Sequence, residues 1–306
     1  MVRLEVIFLG TSSATPTRSR GLPSIVIRRN GEFVMMDCGE GAQRQLFRIG
    51  SGLNREAVIL ISHLHGDHVT GLLGLLQTMS LAQRTREVTI VAPPALSRWL
   101  KTTAETLHIG LTFQVRFNPS RVGTVYRGRD YRVRAARAIH SVEAYSYLLE
   151  EFERPGVFHP ERAKALGIPE GRLWARLQHG RKVTLKGRTV NPREVMDPPR
   201  PGRKVGYSGD TRPSKTLTRF FARCDLLVFD STFSSKDEEK AFDRKHSTAR
   251  EAALLAKEAG VGQLVLTHFS ARYRNVGRLL REARSVFPNT LAARDGLKLE
   301  VPYQTS

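Results

Sequence analysis

The sequence predicts an α/β fold, and three observations carry that reading. Apolar residues alternate with period two near the start, other stretches space them as a helix does, and the C-terminal part runs strand, helix, strand, helix. In order, Leu4, Val6 and Phe8, then Ile25 and Ile27 with Phe33 and Met35, read as half-buried strands joined by turns. An apolar run over 57–62 ends at His63, and helical spacing follows over 69–83. Residues 87–92 form another strand, and Pro93 and Pro94 open a helix through Thr106, proline being suited to a first turn. Period two returns over 111–147, broken near Gly123 and Gly128, as a meander or hairpins. Strands over 205–208, 225–230 and 263–267 then alternate with helices over 213–222, 248–259 and 275–286.

Residues 150–204 differ from everything around them. They are rich in Pro, Gly and Arg and have little apolar periodicity. The part over 172–204 holds ten Lys or Arg against Glu194 and Asp197. This stretch reads as an insertion into a single domain spanning 1–306. The chain as a whole carries 49 Lys and Arg against 29 Asp and Glu, a net charge of +20. Such an excess repels itself and is tolerated for a polyanionic partner, here nucleic acid.

No run of eighteen or more apolar residues exists, so no membrane span is expected. Residues 1–11 lack the basic start and cleavage site of a signal peptide, which gives the expectation of a cytoplasmic protein. Cys38 and Cys224 are too few for a disulfide framework or a thiolate metal site and are expected to be buried apolar side chains.

The central signal is His63-Leu64-His65-Gly66-Asp67-His68, directly after a strand. Imidazole and carboxylate donors at this density suit Zn²⁺ and its neighbours, Mn²⁺ included. Gly66 lets the turn close. Four donors in one turn cannot all reach one ion at good angles, so two ions are expected; such pairs, roughly 3.5–4 Å apart, suit phosphate ester hydrolysis. His140, Asp210 and His268 each follow a strand, where an α/β sheet offers ligands, and complete the expected donor set.

These residues resemble the ribonuclease Z (tRNase Z) family of the metallo-β-lactamase superfamily. The likeness runs nearly end to end: Phe8-Leu9-Gly10-Thr11, Asp37-Cys38-Gly39-Glu40-Gly41, the histidine motif, Ser208-Gly209-Asp210-Thr211, His246-Ser247-Thr248 and His268-Phe269-Ser270-Ala271-Arg272-Tyr273. The histidine motif marks only the superfamily; the His-Ser-Thr motif and the basic insertion narrow it. The resemblance implies a four-layer αββα sandwich with an inserted flexible arm. It implies two Zn²⁺ per subunit, one on His63, His65 and His140, the other on Asp67, His68 and His268, with Asp210 bridging. It implies cleavage of the 3′ trailer from precursor tRNA by a metal-activated hydroxide, leaving a 3′-hydroxyl on the tRNA and a 5′-phosphate on the trailer. Asp67 would orient the nucleophile and take its proton, and His246 would protonate the leaving 3′ oxygen. Asp230, where the family usually carries Glu, would orient His246. Asp37 reads either as a support for a ligand histidine or as a turn residue before Gly39, Thr211 is expected to support the ligands, and a homodimer is implied.

The insertion matches the family's tRNA-gripping arm through Arg154-Pro155-Gly156, Leu166-Gly167-Ile168-Pro169, Gly171 and Leu173. Arg172, Arg176 and Lys182 in it, with Arg18, Arg20 and Arg272 outside it, are expected to contact RNA phosphates. Where many family members carry Pro-x-Lys-x-Arg-Asn, this chain reads Pro16-Thr17-Arg18-Ser19-Arg20-Gly21; Gly21 stands in place of Asn. His108, His159 and His179 lack motif context, and Trp99 and Trp174 read as packing residues, with base stacking an alternative for Trp174. Two other functions are consistent with parts of the pattern: hydrolysis of small phosphodiesters or sulfate esters, and RNA binding without catalysis.

Overall fold

The structure, a computed structural model, describes residues 3–50, 53–185 and 187–304. It divides into two compact units, one built from Met1–Glu150 and Arg203–Ser306, the other from Glu151–Gly202. In the first unit, two seven-stranded sheets form among the described residues. One runs, in spatial order, Lys298–Glu300, Leu4–Gly10, Ser24–Arg29, Glu32–Met36, Glu56–Leu60, Val88–Ala92 and Val115–Pro119. The other runs Thr290–Ala292, Gln263–Thr267, Leu226–Asp230, Lys204–Tyr207, Tyr145–Glu151, Tyr131–Arg137 and Gly123–Arg127.

Alternation along the strands explains the layers. Leu4, Val6 and Phe8 join Val133, Tyr147, Leu149 and Val228 in one apolar cluster between the sheets. Ile7 and Leu9, pointing the other way, join Leu46, Leu72, Leu75 and Met79 from the helices Ala42–Arg48 and Leu72–Leu81. On the far side, Leu227, Phe229, Leu264 and Leu266 pack under the helices Lys215–Phe220, Ala249–Ala259 and Gly277–Arg284. The order is therefore helices, sheet, sheet, helices. The first strand is buried along its whole length, not on one face only: both faces of the sheet are covered, and the alternating side chains are apolar on both except Glu5, which is buried against Arg28.

Three further differences have physical causes. The stretch 111–147 is not one meander: Val115–Pro119 pairs parallel with Val88–Ala92, while Gly123–Arg127 and Tyr131–Arg137 form a hairpin in the other sheet. The helical spacing over 69–83 breaks at Gly71, leaving a short helix Gly66–Val69 ahead of Leu72–Leu81. Trp99, read as a packing residue, is 38% exposed.

The second unit has structure of its own. It holds helices Pro160–Ala165 and Arg172–Gln178 and a hairpin of Val183–Leu185 with Arg188–Val190. Ala163, Ile168, Trp174, Leu177, Val183, Val190, Val195 and Met196 form its core. Trp174 is buried there, with its indole N–H donating to the Ile168 carbonyl at 3.0 Å, so it offers no free face for a base.

Candidate active site

Strand ends of both sheets deliver the chemistry. Glu56–Leu60 runs on to Ser62 and His63, and the helix Gly66–Val69 presents Asp67 and His68. From the other sheet, Tyr131–Arg137 leads to His140, Lys204–Tyr207 to Asp210 and Gln263–Thr267 to His268, while Leu226–Asp230 ends on Asp230. Four non-glycine residues at or against the site take left-handed backbone: Ala14 at φ 58, Asp37 at φ 57, Lys245 at φ 58 and His268 at φ 62. Such positions cost about 1–3 kcal/mol each and persist where the surroundings fix them.

The structure brings His63, His65, Asp67, His68, His140, Asp210 and His268 to one place. His65 Nδ1 lies 3.0 Å from His63 Nε2 and 3.2 Å from His140 Nε2. Asp210 Oδ2 stands 3.7 Å from His63 Nε2, 4.0 Å from His140 Nε2 and 3.3 Å from His68 Nε2. His268 Nε2 is 3.3 Å from both His68 Nε2 and Asp210 Oδ1. Asp67 Oδ2 is 3.5 Å from His68 Nε2 and 3.6 Å from His268 Nε2. The donors thus fall into overlapping clusters, one of His63, His65, His140 and Asp210, one of Asp67, His68 and His268, and a third in which Asp210 and His268 meet Asp230 and His246, so that Asp210 stands beside all of them.

Hydrogen bonds behind the rings settle which nitrogen carries a proton. His68 Nδ1 donates to Asp37 Oδ2 at 2.7 Å, and His140 Nδ1 donates to the Lys245 carbonyl at 3.1 Å. The Ser62 hydroxyl donates to Asp37 Oδ2, so it accepts from His63 Nδ1 at 3.0 Å. The Thr232 hydroxyl donates to Asp230 Oδ1, so it accepts from His268 Nδ1 at 2.8 Å. Each of these four rings therefore turns an Nε2 lone pair inward. Lone pairs 3–4 Å apart around a buried carboxylate repel unless a cation lies among them. Asp210 Oδ1 is buried and accepts no hydrogen bond, as expected of an oxygen shaped for a metal. The donor set fits divalent metal ions.

Electrostatics agree. Burial, then neighbouring imidazoles such as His68, push the His63 pKa well down, toward the neutral form a metal needs. Burial likewise lowers His65 and His140. Burial opposes charge on His68, but Asp210 and Asp37 outweigh it and raise its pKa; a proton or a cation satisfies them equally. Burial opposes ionisation of Asp210, yet His268 and His68 hold it well below the carboxylate range.

Around this centre, His246 Nδ1 lies 2.9 Å from Asp230 Oδ2, so the Asp side chain reaches the histidine. Thr211 touches no ligand side chain. Its hydroxyl accepts the Ile139 N–H at 2.9 Å, next to His140, and its N–H donates to Asp230 at 3.1 Å. Asp67 Oδ2 accepts the Ala14 N–H at 2.8 Å, which places the 14–21 loop against the site. In that loop Arg18 is exposed, while Arg20 bonds the Tyr273 carbonyl at 3.0 Å and lies over the Phe269 ring. Arg272 is exposed and bonds Ser270 at 3.1 Å. Arg172, Arg176 and Lys182 are exposed on the second unit. His159 and His179 bond within that unit, to Asp197 and to the Ala175 carbonyl. Sequence reasoning missed Ser62, Thr232 and Tyr207; Ser62 and Tyr207 stand just before the histidine motif and Ser208, but nothing in the residue type of any of the three marks it.

Two apolar-cored sheets faced by helices, with histidines and aspartates gathered at strand ends, define a protein of the metallo-β-lactamase fold. The sequence matches a family model described as a beta-lactamase superfamily domain over residues 175–269, and one described as anti-Pycsar protein Apyc1 over residues 4–151. Ribonuclease Z of Nitrosopumilus maritimus is 45% identical over 97% of this chain and 100% of its own length. Ribonuclease Z of Myxococcus xanthus is 40% identical over 99% of this chain and 100% of its own. Human tRNase Z, short form, superposes with a TM-score of 0.71 at 26% identity, covering 97% of this chain and 99% of that one. The chain belongs to the ribonuclease Z family of enzymes.

Proposed function

We propose that this enzyme is a zinc-dependent endoribonuclease that removes the 3′ trailer from precursor tRNA, leaving a 3′-hydroxyl on the tRNA and a 5′-phosphate on the trailer. The observation that carries the reading is the inward convergence of seven donor side chains around the doubly facing Asp210. His63, His65 and His140 would hold one ion, Asp67, His68 and His268 a second, and Asp210 would bridge; Mn²⁺ suits the same donors. When bound, such a pair lowers the pKa of coordinated water to about 7 and steadies charge on the phosphate oxygens.

The chain's own residues do the rest. Asp67, fixed by the Ala14 N–H, orients the attacking water and takes its proton at a carboxylate oxygen. As the new P–O bond forms, the bond to the 3′ oxygen breaks, and that oxygen needs a proton. Burial opposes charge on His246, but Asp230 outweighs it and lifts its pKa to about 9. His246 is therefore protonated at neutral pH. With Nδ1 turned to Asp230, Nε2 is left to donate. The net charge of +20 and the exposed Arg18, Arg272, Arg172, Arg176 and Lys182, with Arg20 half-buried, support binding to RNA phosphates.

The same reading includes a homodimer in the cytoplasm. Phe47, Leu81, Trp99 and Leu107, 38–75% exposed on or beside the helices that cover the first sheet, support self-association. Two free, buried thiols suit a reducing compartment.

End-labelled precursor tRNA, with the product ends mapped to the nucleotide, tests the reaction. The wild-type enzyme should cut at the base of the trailer, and His65→Ala should abolish cleavage while the RNA is still bound. Full cleavage by that variant would remove the metal role from the centre.

A further inference from the structure

We propose that Arg212 is a positioning residue for His246, anchored by Glu251; this rests on the proton-donor role given to His246 above. Arg212 follows Asp210 and Thr211, and its backbone N–H donates to the Ile139 carbonyl at 2.9 Å. Its side chain turns the other way. Nη1 donates to the His246 carbonyl at 2.7 Å and to Glu251 Oε2 at 2.8 Å, and Nη2 donates to Glu251 Oε1. Both side chains are only 15% exposed, so the pair is largely sheltered from solvent.

Glu251 is a fixed post. It belongs to the first turn of the helix Ala249–Ala259 and closes a capping box with Thr248. That helix is rooted in the core through Ala249, Ala252, Ala253 and Ala256. From this post the guanidinium reaches a loop that needs holding, because Lys245, just before His246, has left-handed backbone at φ 58. The loop's other ties include the His246 N–H to the Ala241 carbonyl at 2.9 Å, the Lys245 N–H to the Phe242 carbonyl at 3.2 Å, the Phe233 N–H to the Ser247 carbonyl at 3.2 Å and the Ser247 hydroxyl to the Thr211 carbonyl at 2.6 Å. None of these grips the His246 carbonyl. Without Arg212 that carbonyl loses its partner, and the imidazole is held at Nδ1 only through Asp230 at 2.9 Å and the Thr232 hydroxyl at 3.2 Å. Only a planar fork serves carboxylate and carbonyl together; a lysine ammonium would reach one of them. The loop also carries the Lys245 carbonyl that His140 Nδ1 bonds, so a loosened loop has a second possible effect, on metal retention.

Arg212→Met is compared with His246→Ala and with the double variant, using a trailer-bearing precursor tRNA, while bound metal is assayed in each protein. The expected result is a kcat lower by about 10- to 100-fold, the scale set by a misplaced catalytic group. KM and metal content should stay near wild type, and Arg212→Met should cost nothing more once His246 is gone. On bis(p-nitrophenyl) phosphate the loss should be smaller, because a nitrophenolate leaves without being protonated. Glu251→Gln keeps Arg212 and the cap oxygen, and should show a milder form of the same pattern even if Arg212→Met folds poorly. Wild-type kcat in both variants, losses that multiply in the double variant, equal losses on both substrates, or metal loss matching the activity loss would each overturn the proposal. Full kcat in His246→Ala alone, with Arg212 intact, would instead remove the role of His246.

Discussion

Asp37 receives four donors on one carboxylate: the Ser62 N–H at 2.7 Å, the Ser62 hydroxyl at 2.8 Å, the Tyr207 hydroxyl at 2.6 Å and His68 Nδ1 at 2.7 Å. It thereby sets the tilt of His68 directly and that of His63 through Ser62. Asp37→Ala should weaken metal binding about 10- to 100-fold, the range seen for residues that orient metal ligands. A chelator competition titration reads this, and an unchanged affinity would show that the rings are held by packing alone. At this scale the sequence was legible where chemistry clusters along the chain. His63 to His68 announce themselves, whereas His140, Asp210 and His268 are visible only as polar residues closing strands. Tyr207, Ser62 and Thr232 were not legible, because a hydroxyl becomes a support only when folding brings a distant acceptor to it.

Elements show the same divide. Gly71 interrupts the helical spacing of 69–83 for a reason that is wholly tertiary. A Cβ there would stand 2.1 Å from the Gly39 carbonyl oxygen, and one on Gly39 would stand 2.4 Å from the Asp67 carbonyl oxygen. The Gly71 N–H donates to the Cys38 carbonyl at 2.9 Å, and the Cys38 N–H to the His68 carbonyl at 2.8 Å. Backbone thus packs on backbone directly behind Asp67 and His68. Gly71→Ala should lower unfolding stability by about 1–3 kcal/mol, the usual cost of overpacking. Denaturant unfolding against wild type measures it, and an unchanged midpoint would show that the loop yields freely. Period two likewise revealed strands over 111–147 without revealing that the first of them joins the other sheet. A strand's pattern records which faces are buried, not which neighbour it pairs with.

Across the whole molecule, composition raises the expectation of a polyanionic partner and the residue pattern that of an insertion, but neither marks that residues 151–202 build a core of their own. Eight small-to-large apolar residues scattered among Pro, Gly and Arg leave no period to read. Glu150 and Lys204 face each other across an antiparallel ladder, so a short Gly-Ser turn can replace 151–202 without breaking the sheet. That variant should lose precursor-tRNA cleavage, chiefly through a higher KM with a flatter dependence on salt, while still turning over a small chromogenic phosphodiester. Undiminished cleavage of the tRNA precursor would place the RNA-gripping surface elsewhere.

One feature of the sandwich reaches beyond catalysis. His63, His65, Asp67 and His68 hang from one sheet, and His140, Asp210 and His268 from the other. Cations seated among them would rivet the two halves, making cation supply and thermal endurance a single thermodynamic quantity. Each occupied site would contribute about 2.7 kcal/mol when free cation stands at a hundred times its dissociation constant. A cell short of the ion would then lose not only turnover but also much of the margin that keeps this chain folded.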